Sequence, residues 1–297
     1  MIVVHGKMIL AGEHSVVYGH SAVAAPVTPA VTLTETDSGH FVAPSLGLDL
    51  PMDADHPMLV TLRTVLPWER RPAGAGLELG GQLPPGLGMG FSAALSAALA
   101  RQFCTWTRIQ PQRLESQVRT WAHELENLFH GGASGLDVEA VLVHHALEFR
   151  RGHPVTPIDV SGAFHIVGAA FPVTASTKQC VAQVRTARDS DPEAARRIDS
   201  MGELAQAAAR VLREGQEQML GNVFNAIQEH LDFFGLNTDA TRAAIQLARQ
   251  CGAYGAKISG AGGGGLVIAV APAVARAAIE KQWASLSPVL QFRHTLS

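Results

Sequence analysis

Apolar residues recur at steps of three and four along 113–129, 192–214, 218–234 and 238–251, which predicts helices with one buried face. Shorter stretches at 176–187 and 272–287 read the same way, the second with Pro272 at a first helical position, where its missing N–H costs nothing. Residues 92–107 begin Ser-Ala-Ala-Leu-Ser-Ala-Ala-Leu-Ala, a run of high helix propensity without a breaker. Strand signals are short. Residues 2–4 and 8–10 predict two buried strands flanking Gly6-Lys7, and 22–33 predicts another, with edges at Pro26 and Pro29. Apolar runs at 138–149, 164–171, 254–258, 266–270 and 289–294 complete the set. The stretches 37–57 and 67–81 are rich in turn formers and read as loops or irregular strand connections.

This order predicts an α+β chain in two halves, with no repeat of fixed period. Polar turn residues at Arg150-Arg151-Gly152-His153-Pro154 close the first apolar series, so an N-terminal domain is expected over 1–160 and a C-terminal one over 161–297. A chain of 297 residues, 47% of them hydrophobic, can bury a sizeable core, and the few aromatics make that core aliphatic. The formal charge of −3 argues against a nucleic-acid binder, so anionic ligands must be drawn in by local groups. Cys104, Cys180 and Cys251 fit neither a disulfide framework nor a zinc pattern and are expected as free thiols in a reducing cytosol. Without a charged region followed by a long apolar one at Met1-Ile2-Val3-Val4, no signal peptide is expected. The Ala93–Ala100 run is too short to span a bilayer. The expected location is the cytoplasm.

The chemistry concentrates in Pro84-Pro85-Gly86-Leu87-Gly88-Met89-Gly90-Phe91-Ser92-Ala93. Glycines at alternate positions let a backbone approach a ligand closely and take positive φ. A glycine loop that empties into a helix start aims free N–H groups and the helix dipole at an anion. A nucleotide phosphate is the expected anion. No Gly-Lys-Ser/Thr follows, so this is not the common phosphate loop, and the dinucleotide fingerprint is not met either. Taken alone, the stretch is equally compatible with simple helix packing.

Three more segments accompany it in order: Gly6-Lys7-Met8-Ile9-Leu10-Ala11-Gly12-Glu13-His14-Ser15-Val16-Val17-Tyr18-Gly19, then residues 126–137 from Glu126 to Ser134-Gly135-Leu136-Asp137, then Ala256-Lys257-Ile258-Ser259-Gly260-Ala261-Gly262-Gly263-Gly264-Gly265. Together the four resemble the small-molecule kinase superfamily of galactokinase, homoserine kinase, mevalonate kinase and phosphomevalonate kinase. Gly-Glu-His-Ser-Val-Val-Tyr-Gly is closest to the mevalonate branch, and the Thr-Asp-Tyr usual in galactokinases is absent.

The resemblance implies a ribosomal-protein-like N-terminal domain and a ferredoxin-like C-terminal one. It implies ATP bound by Pro85, Gly86, Leu87, Gly88, Met89, Gly90, Phe91, Ser92 and Ala93, with Mg²⁺ held by Ser92 and Glu126. On the residues alone, Ser92 reads as an ordinary helix cap and Glu126 as a solvated helix position. Asp137 and Lys7 become the catalytic pair, the carboxylate facing the acceptor hydroxyl and the lysine touching the transferring phosphate. Whether Asp137 is a true base stays open, because a loose transition state needs little early proton removal. His14 becomes the acceptor contact, with Glu13 orienting its loop, and both are taken as substrate-binding. Ser259, Gly260, Ala261, Gly262 and Gly263 support the phosphate loop, and Ser176-Thr177-Lys178 carries little weight.

Some positions depart from the family pattern. Phe91 replaces a first loop serine, Ala133 a proline, Val138 an asparagine, and Ser259 a threonine. The phenyl ring is expected to turn away from the phosphates and pack. The reading that results is an ATP- and Mg²⁺-dependent kinase for a small alcohol, mevalonate first. Alternatives are a kinase of the same superfamily for another hydroxy acid or sugar, a decarboxylase of that superfamily, and a non-catalytic nucleotide or metabolite sensor. The expected partner is the small-molecule substrate, without nucleic acid or membrane, and a homodimer is compatible with such a chain.

Overall fold

The computed structural model describes residues 1–130 and 134–297, so residues 131–133 of the segment from Glu126 to Asp137, Ala133 among them, lie outside the described residues. The chain forms two compact units. The first comprises Met1–Gly6, Pro29–Pro85 and Gly90–Val143. The second comprises Lys7–Thr28, Gly86–Met89 and His144–Ser297.

The strands β1 (Ile2–Ala11) and β2 (Ala22–Thr36) pair with each other and contribute residues to both units. β1 corrects the expectation of two short strands, because Gly6-Lys7 lies inside one continuous strand. Gly6 is buried and pairing with β2 carries the backbone through it, so the glycine weakens the strand without ending it.

In the first unit, β3 (His40–Ala43), β4 (Leu48–Pro51) and β5 (Gly76–Gly81) line up with β2 in the order β4-β3-β5-β2. Leu77 and Leu79 of β5 alternate with polar neighbours and bury against the core, as a half-covered sheet requires. Three longer elements follow: α1 (Pro57–Val65), α2 (Phe91–Trp106) and α3 (Pro111–His130). α2 is buried on nearly all sides, which its alanines permit by letting α3 pack close. A fourth helix, α4 (Leu136–Leu142), stands where a strand is expected from 138. Its apolar run is buried all round, and such a run carries no period that separates helix from strand. The local determinants decide. Gly135 supplies a left-handed cap at φ 90°, and Asp137 and Glu139 place negative charge in the first turn.

In the second unit, β6 (Leu147–Phe149) joins the start of β2 and is flanked by β7 (Thr156–Pro157). The larger sheet contains β8 (Phe164–Phe171), β9 (Gly255–Ser259), β10 (Gly265–Val270) and β11 (Leu290–Leu296) in the order β11-β8-β10-β9, all antiparallel. Numbered from β8, that order is 4-1-3-2, the arrangement of a ferredoxin-like split βαβ. The helices α5 (Thr177–Ser190), α6 (Pro192–Glu214), α7 (Glu217–Phe233) and α8 (Asp239–Gln250) lie between the first two of these strands in sequence, and α9 (Ala273–Ala284) precedes the last. α7, α8 and α9 cover the sheet, α6 packs on α7, and α5 on α6. α7 seats directly on β9, since a β-carbon on Gly255 would fall 1.9 Å from the carbonyl of Gly221. Cys104, Cys180 and Cys251 are free. No helix among the described residues is long and apolar enough to cross a membrane.

Candidate functional site

Within the second unit, Lys7 anchors the glycine loop. Its backbone N–H donates to the Met89 carbonyl at 2.8 Å and its ammonium to the Gly88 carbonyl at 3.1 Å. Gly86 and Gly88 both hold positive φ, at 77° and 74°. Left-handed residues at alternate positions turn successive N–H groups toward one side, a concavity suited to anions. The loop rests on the stretch between β9 and β10, where a β-carbon on Gly265 would come within 3.0 Å of the Leu87 carbonyl. That stretch is wedged in turn. Gly262 lies against Leu236 and Gly263 against Ala175, and the Gly263 carbonyl accepts from the Thr174 N–H at 2.7 Å. Ser259 reaches back to β1, accepting from the Ile9 N–H at 2.8 Å and donating to the Ile9 carbonyl at 3.0 Å. So Ser259, Gly260, Ala261, Gly262 and Gly263 come together with Lys7 and the Gly86–Met89 loop. Ser176 instead caps α5 in a reciprocal box with Gln179.

Gly12, Glu13 and His14 follow β1 in a tight loop. His14 has a left-handed φ of 60°, uncommon for a residue with a side chain. Its ring is buried and Nε2 lies 3.0 Å from the Ala261 carbonyl. A carbonyl only accepts, so Nε2 carries the proton and Nδ1 is left as an acceptor. Burial pushes the His14 pKa down to about 4, against the opposing effect of the Ala261 hydrogen bond, which keeps the ring neutral near pH 7. Glu13 is buried and pairs through Oε1 with Lys257.

The first unit holds the other candidates. Gly90, at φ 78°, caps α2 without a side-chain hydrogen bond, and Ser92 is therefore not the cap. The N–H groups of Phe91, Ser92 and Ala93 start the helix and have no intrahelical acceptor. Ser92 Oγ donates to Glu126 Oε1 at 2.9 Å, and His130 Nε2 lies 3.0 Å from the same hydroxyl. Glu126 is buried rather than solvated, and its Oε2 has no hydrogen-bond partner among the described residues. An orphaned buried carboxylate oxygen beside a serine hydroxyl fits a small hard cation, which takes oxygen ligands and leaves the rest of its shell to phosphates and water. Among the described residues no group of three or more His, Cys, Asp or Glu side chains could hold a metal by itself. The hydrogen bond from His130 to Glu126 raises the His130 pKa, against the opposing effect of burial.

Asp137 sits half-buried in the first turn of α4. Two residues on, Glu139 pairs with Arg119 at 3.0 Å and His123 at 2.8 Å, both on α3, and this clamps α4 to the helix that carries Glu126. Phe91 is buried, and with Pro57, Met58, Leu95, Leu128 and Phe129 it walls an apolar cavity of about 390 Å³ that reaches Ser92.

Two residues escaped the reading of the sequence. His130 stands one turn after Glu126, a spacing that places both on one helix face. Lys257 was visible as a lone charge in an otherwise apolar strand, and such a residue, when buried, must be paired.

The chain is similar to known proteins along most of its length. Residues 59–145 match the family described as GHMP kinases N terminal domain, and 195–287 match GHMP kinases C terminal. A mevalonate kinase from Methanothermobacter thermautotrophicus is 31% identical, with 90% of this chain aligned to 88% of that protein. One from Thermococcus sibiricus is 29% identical, over 90% of this chain and 87% of its own length. Among solved structures, the L. major mevalonate kinase in complex with R-mevalonate superimposes with a TM-score of 0.83 at 24% identity, covering 99% of this chain and 95% of that one.

Proposed function

The chain belongs to the GHMP kinase family as a small-molecule kinase with an alcohol acceptor, and from that premise we propose that it transfers the γ-phosphoryl group of ATP to the 5-hydroxyl of mevalonate, with Mg²⁺ as the metal. The observation that carries the reading is the left-handed glycine loop tied to Lys7 and running into a helix start without a side-chain cap. The choice of mevalonate is supported by the relatives of 29% and 31% identity that bear the mevalonate kinase name.

Each residue then has a physical task. The N–H groups of 86–93 receive the triphosphate, at no cost in reorganisation because the loop is already held open. Lys7 exchanges its Gly88 carbonyl for a phosphate oxygen and offsets charge on the transferring group. Ser92 and Glu126 would hold Mg²⁺, which supplies charge neutralisation on the phosphate oxygens when bound. Asp137 orients the acceptor hydroxyl and takes its proton late. His14 stays neutral and offers Nδ1 to a hydroxyl of the acceptor. The apolar cavity beside Ser92 suits the flat face of the nucleotide base.

Purified protein with ATP and Mg²⁺ is expected to release ADP with mevalonate and to yield the 5-phosphate, read by a coupled assay and by mass. No ADP above background with mevalonate, but release with another alcohol, would overturn the substrate and leave the kinase. Glu126→Gln is expected to raise the Mg²⁺ concentration for half-maximal rate by about tenfold or more, because it removes a ligand charge. The KM for the acceptor should move less than twofold. An unchanged Mg²⁺ titration would return Glu126 to a structural role.

A further inference from the structure

Lys257 is fully buried, in the middle of β9, and all three of its ammonium donors are spent. They go to Glu13 Oε1, to the Ile9 carbonyl at 3.2 Å, and to the carbonyl of Ile258 at 2.9 Å. The Phe224 ring, its centroid 5.4 Å from Nζ, lies against the same group. One buried cation thus gathers the strand that carries Lys7, the loop that carries His14 and the root of the Ser259–Gly263 turn. Burial pushes the Lys257 pKa down, and the Glu13 carboxylate opposes this.

A buried ion pair adds little stability over a well-packed apolar pair of the same volume, since the cost of desolvation consumes most of the attraction. What it does supply is direction. Glu13 lies between Gly12 and His14, so holding its carboxylate fixes the loop from which the His14 ring reaches Ala261. Ile9 is two residues past Lys7 on the same strand, and Lys257 and Ser259 between them hold both of its backbone groups. The Glu13 side chain is itself without exposed surface, which leaves it no direct contact with a substrate.

The geometry points to Lys257 as a positioning residue that, through Glu13 and Ile9, sets His14 for the acceptor and Lys7 for the phosphate. This rests on the kinase reading given above. The test removes both charges at once with the double variant Lys257→Met, Glu13→Gln, because Lys257→Met alone would strand a buried carboxylate and risk misfolding. Circular dichroism and thermal melting should show a folded protein melting close to the wild type. With mevalonate as acceptor, its KM should rise about tenfold or more and kcat should fall, while the KM for ATP stays within twofold.

A second readout needs no substrate. In the wild type the His14 ring, followed by NMR, should titrate near 4, and in the double variant it should move toward the ordinary 6.5 as the ring leaves its burial against Ala261. Wild-type kinetics together with an unmoved His14 titration would overturn the proposal. So would a double variant that fails to fold, since the pair would then be a requirement of folding itself. If wild-type protein ignored mevalonate, the substrate reading would fail, and the His14 titration would still decide the role of Lys257.

Discussion

Asp137→Asn is expected to lower kcat by at least roughly 100-fold with the fold intact, the range for removing one electrostatic or acid–base group at a reacting centre. The change keeps size and shape and deletes only charge. α4 should not notice it, because the helix is held by Glu139 on Arg119 and His123, by the Gly135 cap, and by its buried Leu136, Val138 and Val141. The KM for ATP should change little. Lys7→Met should lose a similar factor for a different reason. The methionine fills the volume of the lysine stem but cannot reach from the Gly88 carbonyl to a phosphate oxygen. Steady-state rates on both variants, with melting curves beside them, decide the matter. Activity within a fewfold of wild type for Asp137→Asn would remove it from the chemistry.

The second large effect is expected at Gly12. Its φ of +93° is one that side chains rarely adopt, and a β-carbon there would stand 2.5 Å from the Ala22 Cα. The left-handed backbone alone costs an L-residue roughly 1–2 kcal/mol. The overlap is with main chain, which cannot rotate away as a side chain does, so either β2 or the Glu13–His14 loop must shift. Gly12→Ala should therefore lower Tm by roughly 10 °C or more, since a chain of this size loses about 2–4 °C per kcal/mol, and acceptor turnover should fall with it. Gly86→Ala is the control. Gly86 has a similar φ of +77° but nothing within 4 Å of its β-carbon position, so it should show the backbone cost alone. A Gly12→Ala protein melting within about 3 °C of wild type would mean that the loop yields easily.

Much of this molecule was legible from residue types and spacing, and what was not has definite causes. The helices α3, α6, α7 and α8 announce themselves because one face is apolar and the other charged, so their period survives in the sequence. α4 did not, because burial on every side erases the period. Gly6 looked like a strand break because the pairing that carries the chain past it is with β2, many residues away. The glycine loop was readable as a backbone shape, since Gly86, Gly88 and Gly90 all hold the left-handed φ expected, but its ligand was legible only in company with the other three segments. By residue type alone, without the family resemblance, Ser92 was not readable as anything beyond a cap. What separates it from one is that Gly90 does the capping while its hydroxyl meets Glu126, a partner 34 positions further on. Lys257 belonged to a quoted motif, but its role depends on Glu13, 244 positions away in the chain.

Those long separations bear on how the molecule comes into being. The second unit takes in Lys7–Thr28 and the Gly86–Met89 loop as well as everything from His144 onward. Ile9 cannot find the hydroxyl of Ser259, nor Glu13 the ammonium of Lys257, until some 250 and 244 further residues have been joined. At about 5–20 residues per second, the N-terminal strand waits for roughly 10–50 s on the ribosome with its inner partners still unmade. During that interval Met8, Leu10 and Ala11, all without exposed surface in the finished protein, lie on the strand whose Ile9 still lacks Ser259. Such a nascent chain offers chaperones a long-lived apolar strand, and a fragment that starts after His144 lacks the Lys7–Thr28 and Gly86–Met89 segments of its own compact unit.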